Sequence, residues 1–343
     1  MADAPLPKDP GGSVEPAVPR REALVRLASM GAVLGGASLV TKLSYDAGGF
    51  GFQAAQGQRQ VRDFTLKTDA NAVHMAIARA PIGVTGLALA KPLVEKALAA
   101  MGGMGRFISR GDIVVIKPNI GWDRMPLHAA NTSPEVVAAV IELAWEAGAK
   151  RVVVADGSCN DPHRCFQRSG IWKRAHALGA DVVLPAEHRF RTMRLKGEVL
   201  DEWPIFTTLV EADKVINVPV AKHHNLAKFT AAMKNWYGVL GGRRNRLHQN
   251  IDVSIADLST FMRPTLTVID ATRVLIRNGP QGGNIDDTRI LNTVLASVDQ
   301  VAADAYACRF IGQRPENLPY LAMAEERGIG TTKLESLIIR EVT

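Results

Sequence analysis

The chain contains 343 residues, of which 47% are hydrophobic and 22% charged, and its formal net charge is +7. This composition excludes a low-complexity or largely disordered chain and is sufficient for one large domain or two packed ones. The excess of basic residues favours anionic partners. The chain has three cysteines, Cys159, Cys165 and Cys308, without C-x-x-C spacing, so it cannot supply a four-cysteine iron–sulfur cluster or structural zinc site.

The first 60 residues differ in character from the rest. Residues 1–19 are rich in proline, glycine and alanine, which predicts a disordered leader. Arg20 and Arg21 then precede an apolar run at 27–40, a pattern that resembles a twin-arginine export signal. The alternative is an amphipathic helix packed on the body. Residues 41–60 have the Gly/Gln-rich composition of a linker.

The apolar run is shorter than the ~20 residues that a membrane-spanning helix needs. We therefore expect no permanent span, but a signal that is removed or that acts as a weak anchor. The protein is then expected to engage the twin-arginine export machinery and to be periplasmic or otherwise exported.

From residue 61 to residue 343, short β-branched runs alternate with amphipathic helical patterns. The apolar runs are nearly continuous, as in strands that are buried on both faces. This alternation predicts an α/β domain with a mostly parallel sheet covered by helices, in one body or two lobes. The predicted strands are 112–116, 151–155, 181–184, 214–218 and 266–269, and two of the predicted helices are 87–100 and 134–148.

Polar side chains follow four of these strands. Lys117 and Asn119 follow the first, Asp156 the second, Lys222 to His224 the fourth and Asp270 the fifth. In parallel sheets, ligands bind at the carboxyl ends of the strands. We therefore expect these groups to meet at one edge, although each aspartate alone is equally typical of a turn or cap.

The segment 217–248 concentrates cations and amides. Its lysines can bind phosphate or carboxylate, Asn235 supplies a donor and an acceptor, and the arginines at 243–246 offer bidentate contacts on a loop. An anionic ligand is therefore expected. The predicted ligand-binding residues are Lys117, Asn119, Lys222, Lys234 and Asn235.

Three residues are candidates for catalysis. His224 and His248 can exchange protons near neutral pH, and Asp270 can orient one of them. The rival interpretation is a metal site formed by the same three residues, but their separations in sequence are long and His223 would point to the opposite face of a strand. An anion site is preferred, and no metal is assigned.

Other features are typical of structure. The stripe of large apolar residues from Phe229 to Leu240 has helical spacing and predicts core packing. The basic clusters at 189–196 and 243–246 lack interleaved aromatic residues, so no nucleic-acid partner is expected. Neither a phosphate loop, nor a dinucleotide fingerprint, nor a G-x-S-x-G elbow occurs.

Several short motifs occur together and in order. They are Lys117-Pro118-Asn119, Lys222-x-His224, Lys234-Asn235-x-x-Gly238, His248, Asp257-Leu258, Asp270, Asn278-Gly279-Pro280 and Asp299 with Asp304. As a set they resemble the bacterial and archaeal family called domain of unknown function 362, over about Asp112 to Gly312. The resemblance implies an α/β fold and no named reaction.

Many members of that family carry a ferredoxin-like segment, whose cysteines this chain lacks, so an electron-transfer role is not expected. A more distant similarity is to the nickel-cofactor-binding half of lactate racemase. We expect an enzyme-like basic pocket for an anionic small molecule or an organic cofactor, whose identity stays open. The alternatives are a non-catalytic binding or accessory protein, and a metal-binding protein that uses His224 and His248.

Overall fold

A computed structural model describes residues 63–66, 69, 71–81 and 87–343. The predicted leader, twin-arginine pair and linker lie outside these residues. The described part belongs to a single unit, Val61–Thr343.

Within the described residues, ten strands form the central sheet and two form a small antiparallel hairpin. The strands are β1 Met75–Arg79, β2 Ile113–Pro118, β3 Arg151–Ala155, β4 Asp181–Val183, β5 Phe190–Arg194, β6 Glu202–Phe206, β7 Lys214–Val218, β8 Val220–His224, β9 Lys228–Thr230, β10 Leu266–Leu275, β11 Thr288–Ser297 and β12 Ile339–Val342. The order is β12-β1-β11-β10-β7-β2-β3-β4, with β8 paired to β10 and β9 to β8, while β5 and β6 form the hairpin.

The sheet is mostly parallel, which confirms the predicted fold class. The run β10-β7-β2-β3-β4 is parallel throughout, and antiparallel pairs join β11 to β1 and β10 and join β8 to β9. Two details differ from expectation. Asp270 lies within β10 instead of after it, because that strand continues to Leu275. Lys222 to His224 are themselves a strand, β8, separated from β7 by Pro219, which has no backbone N–H to donate to a ladder.

Helices cover both faces of the sheet. They are α1 Ala90–Ala100, α2 Pro134–Glu146, α3 Pro162–Arg168, α4 Ile171–Ala177, α5 Ile251–Phe261, α6 Gln300–Ala307 and α7 Pro319–Glu326. Among the described residues, none of the helices is long and apolar enough to cross a membrane.

Helix α2 begins at the predicted residue, Pro134, and ends at Glu146, shortly before the predicted end at residue 148. Pro134 occupies the first turn, and Gly148 follows the last turn with a φ of +90° that glycine adopts readily. Ser133 precedes the helix, yet its side chain makes no capping hydrogen bond. Its backbone N–H donates instead to Asp270 Oδ2 at 2.7 Å.

Two hydrophobic cores lie on opposite faces of the sheet, which explains the continuous apolar runs. Val115 of β2 and Val153 of β3 belong to one core, whereas Val114 and Val152 belong to the other. Alternate residues of a strand point to opposite faces, so both sets must be apolar. The polar residues that follow these strands are thereby held on a rigid support.

Candidate functional site

A cavity of about 1280 Å³ opens at the carboxyl edge of the parallel strands. Residues after β2 and β3, the strand β8 and the segment from Lys234 to His248 line it. Of the predicted site residues, it brings together Asn119, Lys222, His224, Lys234, Asn235 and His248. Their roles stay predictions.

A buried ion pair lies at the base of this cavity. Lys117 Nζ donates to Asp156 Oδ1 at 2.6 Å and to the Pro118 carbonyl at 3.0 Å. The second oxygen of Asp156 accepts the Ile120 N–H at 2.7 Å. Burial lowers the pKa of Lys117, although Asp156 acts in the opposite direction. Lys117 therefore holds the loop after β2 in place, rather than lining the cavity as expected.

Gly238 explains the spacing of the Lys-Asn-x-x-Gly motif. Its Cα lies so close to the ion pair that a Cβ would stand 1.9 Å from Asp156 Oδ1 and 2.8 Å from Lys117 Nζ. The Gly157 N–H donates to the Gly238 carbonyl at 2.9 Å. The absence of a side chain at Gly238 thus lets the 234–239 turn pack against the ends of β2 and β3.

Two asparagines connect the ion pair to Lys222. Asn119 Nδ2 donates to Asn235 Oδ1 at 3.0 Å, and Asn235 Nδ2 donates to Asn217 Oδ1 at 2.8 Å. Lys222 Nζ donates to Asn119 Oδ1 at 3.0 Å and to the Ala130 carbonyl. Burial lowers the pKa of Lys222 to about 7. Within the described residues, the two acceptors that orient Lys222, Asn119 Oδ1 and the Ala130 carbonyl, are both neutral.

Lys234 is buried without a hydrogen-bonding partner among the described residues. It begins a 3-10 helix, Lys234–Val239, in which residues three apart lie one above the other. Its Nζ lies 3.2 Å from the centroid of the Tyr237 ring. Burial, with repulsion from Arg244 and Lys222, brings its pKa well below the usual value. Lys228, a third lysine of this segment, is exposed.

The backbone determines the tautomer of His224. Its Nδ1 accepts the N–H groups of Leu226 and Ala227, both at 3.1 Å. The proton of the neutral ring must therefore be on Nε2. Burial, reinforced by Lys234 and Lys222, lowers the pKa of His224 to about 2. His224 is thus a neutral hydrogen-bond donor. It does not exchange protons near neutral pH, which the acid/base role that we expected would require.

His248 has the opposite tautomer. Its Nδ1 lies 2.9 Å from the Asn245 carbonyl, which can only accept, so Nδ1 carries the proton and Nε2 carries the lone pair. The rings of His224 and His248 are stacked with centroids 5.9 Å apart and an angle of 11° between their planes. Burial lowers the pKa of His248 as well. The cavity therefore presents one imidazole donor beside one imidazole acceptor.

Asp270 does not orient either histidine. One of its oxygens accepts from Ser133 N at 2.7 Å, and the other accepts from Thr272 N at 2.9 Å and Thr272 Oγ1 at 2.7 Å. Its carboxylate thus connects β10 to the start of α2. The two-histidine, one-carboxylate set of the rival metal interpretation is not assembled, and no group of three metal-ligating side chains occurs in the part of the chain that the structure describes. Because Ser133 and Thr272 occupy the Asp270 carboxylate, it is not available as a metal ligand beside the two histidines.

The arginine loop also differs from expectation. Arg244 donates to the carbonyls of Tyr237 at 2.8 Å, Gly157 at 2.9 Å and Ser158 at 2.7 Å. Arg246 lies over the Trp203 ring, 4.7 Å from its centroid. Both guanidinium groups therefore contact the protein itself, which differs from the ligand contacts expected of this loop.

Sequence reasoning missed several residues that shape the site. Asp304 accepts the N–H groups of Ala232 at 2.6 Å and Met233 at 3.0 Å, and thereby holds the turn that leads into Lys234. The sequence signal for Asp304 was its place in the set of motifs that resembles the family. Tyr237 lies in the core, as predicted for the stripe from Phe229 to Leu240, and its ring also supports Lys234. Cys159, exposed and with a free thiol, also lines the cavity.

Fold and site together define an α/β protein with a lysine-rich pocket at the carboxyl edge of its sheet. Residues 114–309 match the family described as domain of unknown function (DUF362), and the chain belongs to this family. The match includes every residue that we have placed in the pocket.

Individual proteins show weaker similarity. A thylakoid-associated protein of Synechocystis sp. is 28% identical over 253 residues, which are 69% of this chain and 75% of that protein. Two solved structures, a Thermotoga maritima protein and the lactate racemase apoprotein from Thermoanaerobacterium thermosaccharolyticum, both have a TM-score of 0.39, at 11% and 13% identity. The alignments cover 67% and 74% of this chain but only 59% and 58% of theirs, less than two thirds.

Proposed function

We propose that the cavity binds an anionic small molecule, or the anionic group of an organic cofactor. The observation that carries this proposal is the pair Lys222 and Lys234. Both are buried and line one cavity, and within the described residues neither has a carboxylate within ion-pair distance. Asp156 is already paired with Lys117. Burial without a counter-charge disfavours the charged form of both amines, and a negative ligand would supply the missing charge.

Donors of three kinds support an anion in this position. A protonated Lys222 has three N–H groups, of which Asn119 and Ala130 accept two. His224 contributes the Nε2–H, because its Nδ1 is occupied by backbone donors. Thr230 Oγ1 is buried at the cavity wall and has no hydrogen-bonding partner in the described part of the chain. These groups suit a carboxylate or a phosphate.

The histidine pair favours proton-transfer chemistry over binding alone. An imidazole whose Nε2 lone pair is unoccupied can accept a proton from a bound ligand, which is the role of His248. The adjacent Nε2–H of His224 can stabilise a developing negative charge without itself ionising. In this proposal His248 is the general base and His224 the electrophilic donor. A non-catalytic binding protein would need neither the general base nor the electrophilic donor.

Native mass spectrometry with metal analysis tests the binding proposal on protein purified from its own source. We expect a small anionic molecule to accompany the wild-type protein and the Lys150→Met variant, because Lys150 is exposed. Lys222→Met should lose it while retaining its fold by circular dichroism. Equal ligand content in all three proteins would reject the anion site. A bound transition metal without an organic anion would favour the metal-binding alternative.

We also propose, from the sequence pattern of the first 60 residues, that the protein is exported through the twin-arginine route. Replacing Arg20 and Arg21 by lysine should leave the precursor in the cytoplasm. Unchanged export of this variant would reject the route, whatever the pocket binds.

A further inference from the structure

We infer that the anionic ligand carries an aldehyde or ketone group, and that Lys234 forms a covalent imine with it. The inference rests on the proposed anion site and adds the substrate class: an anionic carbonyl compound such as a 2-oxo acid. It depends on the different surroundings of the two lysines in the cavity.

Lys222 has the environment of an anchor. Its Nζ is held by Asn119 Oδ1 and the Ala130 carbonyl, so its position is determined by two acceptors. Lys234 has the environment of a nucleophile. It is only 6% exposed and lines the cavity, and no acceptor among the described residues holds its Nζ. The Tyr237 ring, 3.2 Å below, offers its π face and no lone pair.

Burial lowers the pKa of the Lys234 amine and thereby favours its neutral form. The Cys159 thiol acts in the opposite direction, whereas repulsion from Arg244, Lys222 and Lys117 adds to the effect of burial. Protonation of His224 or His248 would add positive charge beside Lys234, and burial lowers the pKa of both rings. A desolvated lysine beside other cations is the arrangement that makes an amine nucleophilic near neutral pH.

Imine formation needs no reactant besides the Lys234 amine and the carbonyl group of the ligand. The lone pair of Lys234 Nζ forms a bond to the carbonyl carbon, and the π electrons move to the oxygen. A first proton passes from nitrogen to oxygen, for which the Nε2 lone pair of His248 can serve as carrier, and gives the carbinolamine. The second nitrogen proton passes to the hydroxyl group by the same carrier, the nitrogen electron pair forms the C=N bond, and the C–O bond breaks with loss of one water. The product is an imine between Lys234 and the ligand, whose anionic group lies at Lys222.

Glyoxylate, the smallest anionic aldehyde, tests this inference when cyanoborohydride is present to reduce any imine. At pH 7 we expect one carboxymethyl group on Lys234, formed at least about tenfold faster than on the exposed Lys150. Lys234→Arg, which keeps a long basic side chain but no nucleophilic amine, should abolish this fast labelling. Lys222→Met should slow it but leave its position at Lys234. Peptide mapping by mass spectrometry reads out the site.

Glycolate, which has the same carboxylate but no carbonyl to attack, separates the two proposals. If glycolate slows the labelling of Lys234, both proposals stand. If glycolate binds, measured by calorimetry, but Lys234 is labelled no faster than Lys150, the imine is rejected and the anion site remains. If glycolate does not bind and Lys234 is not labelled selectively, both proposals are contradicted. Fast labelling of Lys222 instead of Lys234 would also overturn the inference.

Discussion

Gly238 lies against Asp156, with space for a hydrogen but not for a methyl group. A Cβ at Gly238 would stand 1.9 Å from Asp156 Oδ1, the atom that accepts from Lys117. This contact joins the turn that carries Lys234 and Asn235 to the ends of two parallel strands. The position of the pocket therefore depends on a residue with no chemistry of its own.

Gly238→Ala should consequently destabilise the protein and the site together. The new methyl group must displace Asp156 and leave Lys117 without its buried counter-charge. We expect a loss of about 3 kcal/mol or more in the free energy of unfolding, measured with urea. Gly105→Ala is the matched control, since a Cβ there meets nothing within 4 Å. It should change the free energy by less than about 0.5 kcal/mol. Equal effects of the two substitutions would show that Gly238 does not lie this close to Asp156.

The tautomers of the histidine pair predict two distinct NMR signatures. Nitrogen shifts should place the proton of His224 on Nε2 and that of His248 on Nδ1. Because the pKa of His224 is lowered to about 2, its ring resonances should not move between pH 5 and 8. Titration of His224 with a midpoint near 6.5 would contradict the buried, backbone-bound geometry.

Two substitutions separate the structural and ligand-binding roles of His224. His224→Ala leaves the buried Ala227 N–H without its acceptor, which should cost about 1–2 kcal/mol in the free energy of unfolding. His224→Asn retains an acceptor for the same turn and should recover most of that loss. Both variants lose the Nε2–H, so both should bind the ligand more weakly. If His224→Asn binds the ligand as the wild type does, that N–H is not part of the site.

The pKa of Lys222 predicts a particular pH dependence of stability. In the unfolded chain its pKa is near 10.5, and burial lowers it to about 7 in the fold. Between these values the unfolded chain binds a proton that the folded chain does not. The contribution of Lys222 to the free energy of unfolding therefore rises with pH over this window, by up to ~1.4 kcal/mol per pH unit.

Lys222→Met should remove that contribution. The difference in free energy of unfolding between wild type and this variant should shift in favour of the wild type from pH 7 to pH 9. The comparison cancels the effects of the other buried groups near the cavity, which both proteins share. Urea unfolding at three pH values measures it. A difference that does not change with pH would mean that Lys222 is not a buried, neutral amine.

The fold was predictable from the sequence because its signals are local. Four consecutive residues in each of the runs that became β2 and β3 are apolar, and Pro134 begins α2 while Gly148 follows its last turn. Strand alternation also explains why Lys222 and His224 share the cavity while His223 does not line it.

The details of the site depend on contacts between distant parts of the chain, which spacing does not reveal. Asp270 was expected beside a histidine, yet the N–H of Ser133, 137 residues away, occupies its carboxylate. Arg244 appeared free to bind an anion, whereas carbonyls from two separate loops accept its donors. The roles of His224 and His248 follow from which backbone groups meet Nδ1. No residue type or motif predicts whether Nδ1 of a histidine will meet a backbone N–H or a backbone carbonyl.

Calorimetric titration with oxalate tests the central claim, that Lys222 makes this cavity an anion site. At pH 8 a lysine with a pKa of about 7 is mostly neutral, and a bound anion would favour its protonation. Wild type and Lys150→Met should therefore bind oxalate with uptake of up to one proton, seen as a heat that depends on the ionisation enthalpy of the buffer. Lys222→Met should lose at least about tenfold in affinity together with the proton uptake. Absence of oxalate binding, or unchanged affinity and proton uptake in Lys222→Met, would contradict the claim.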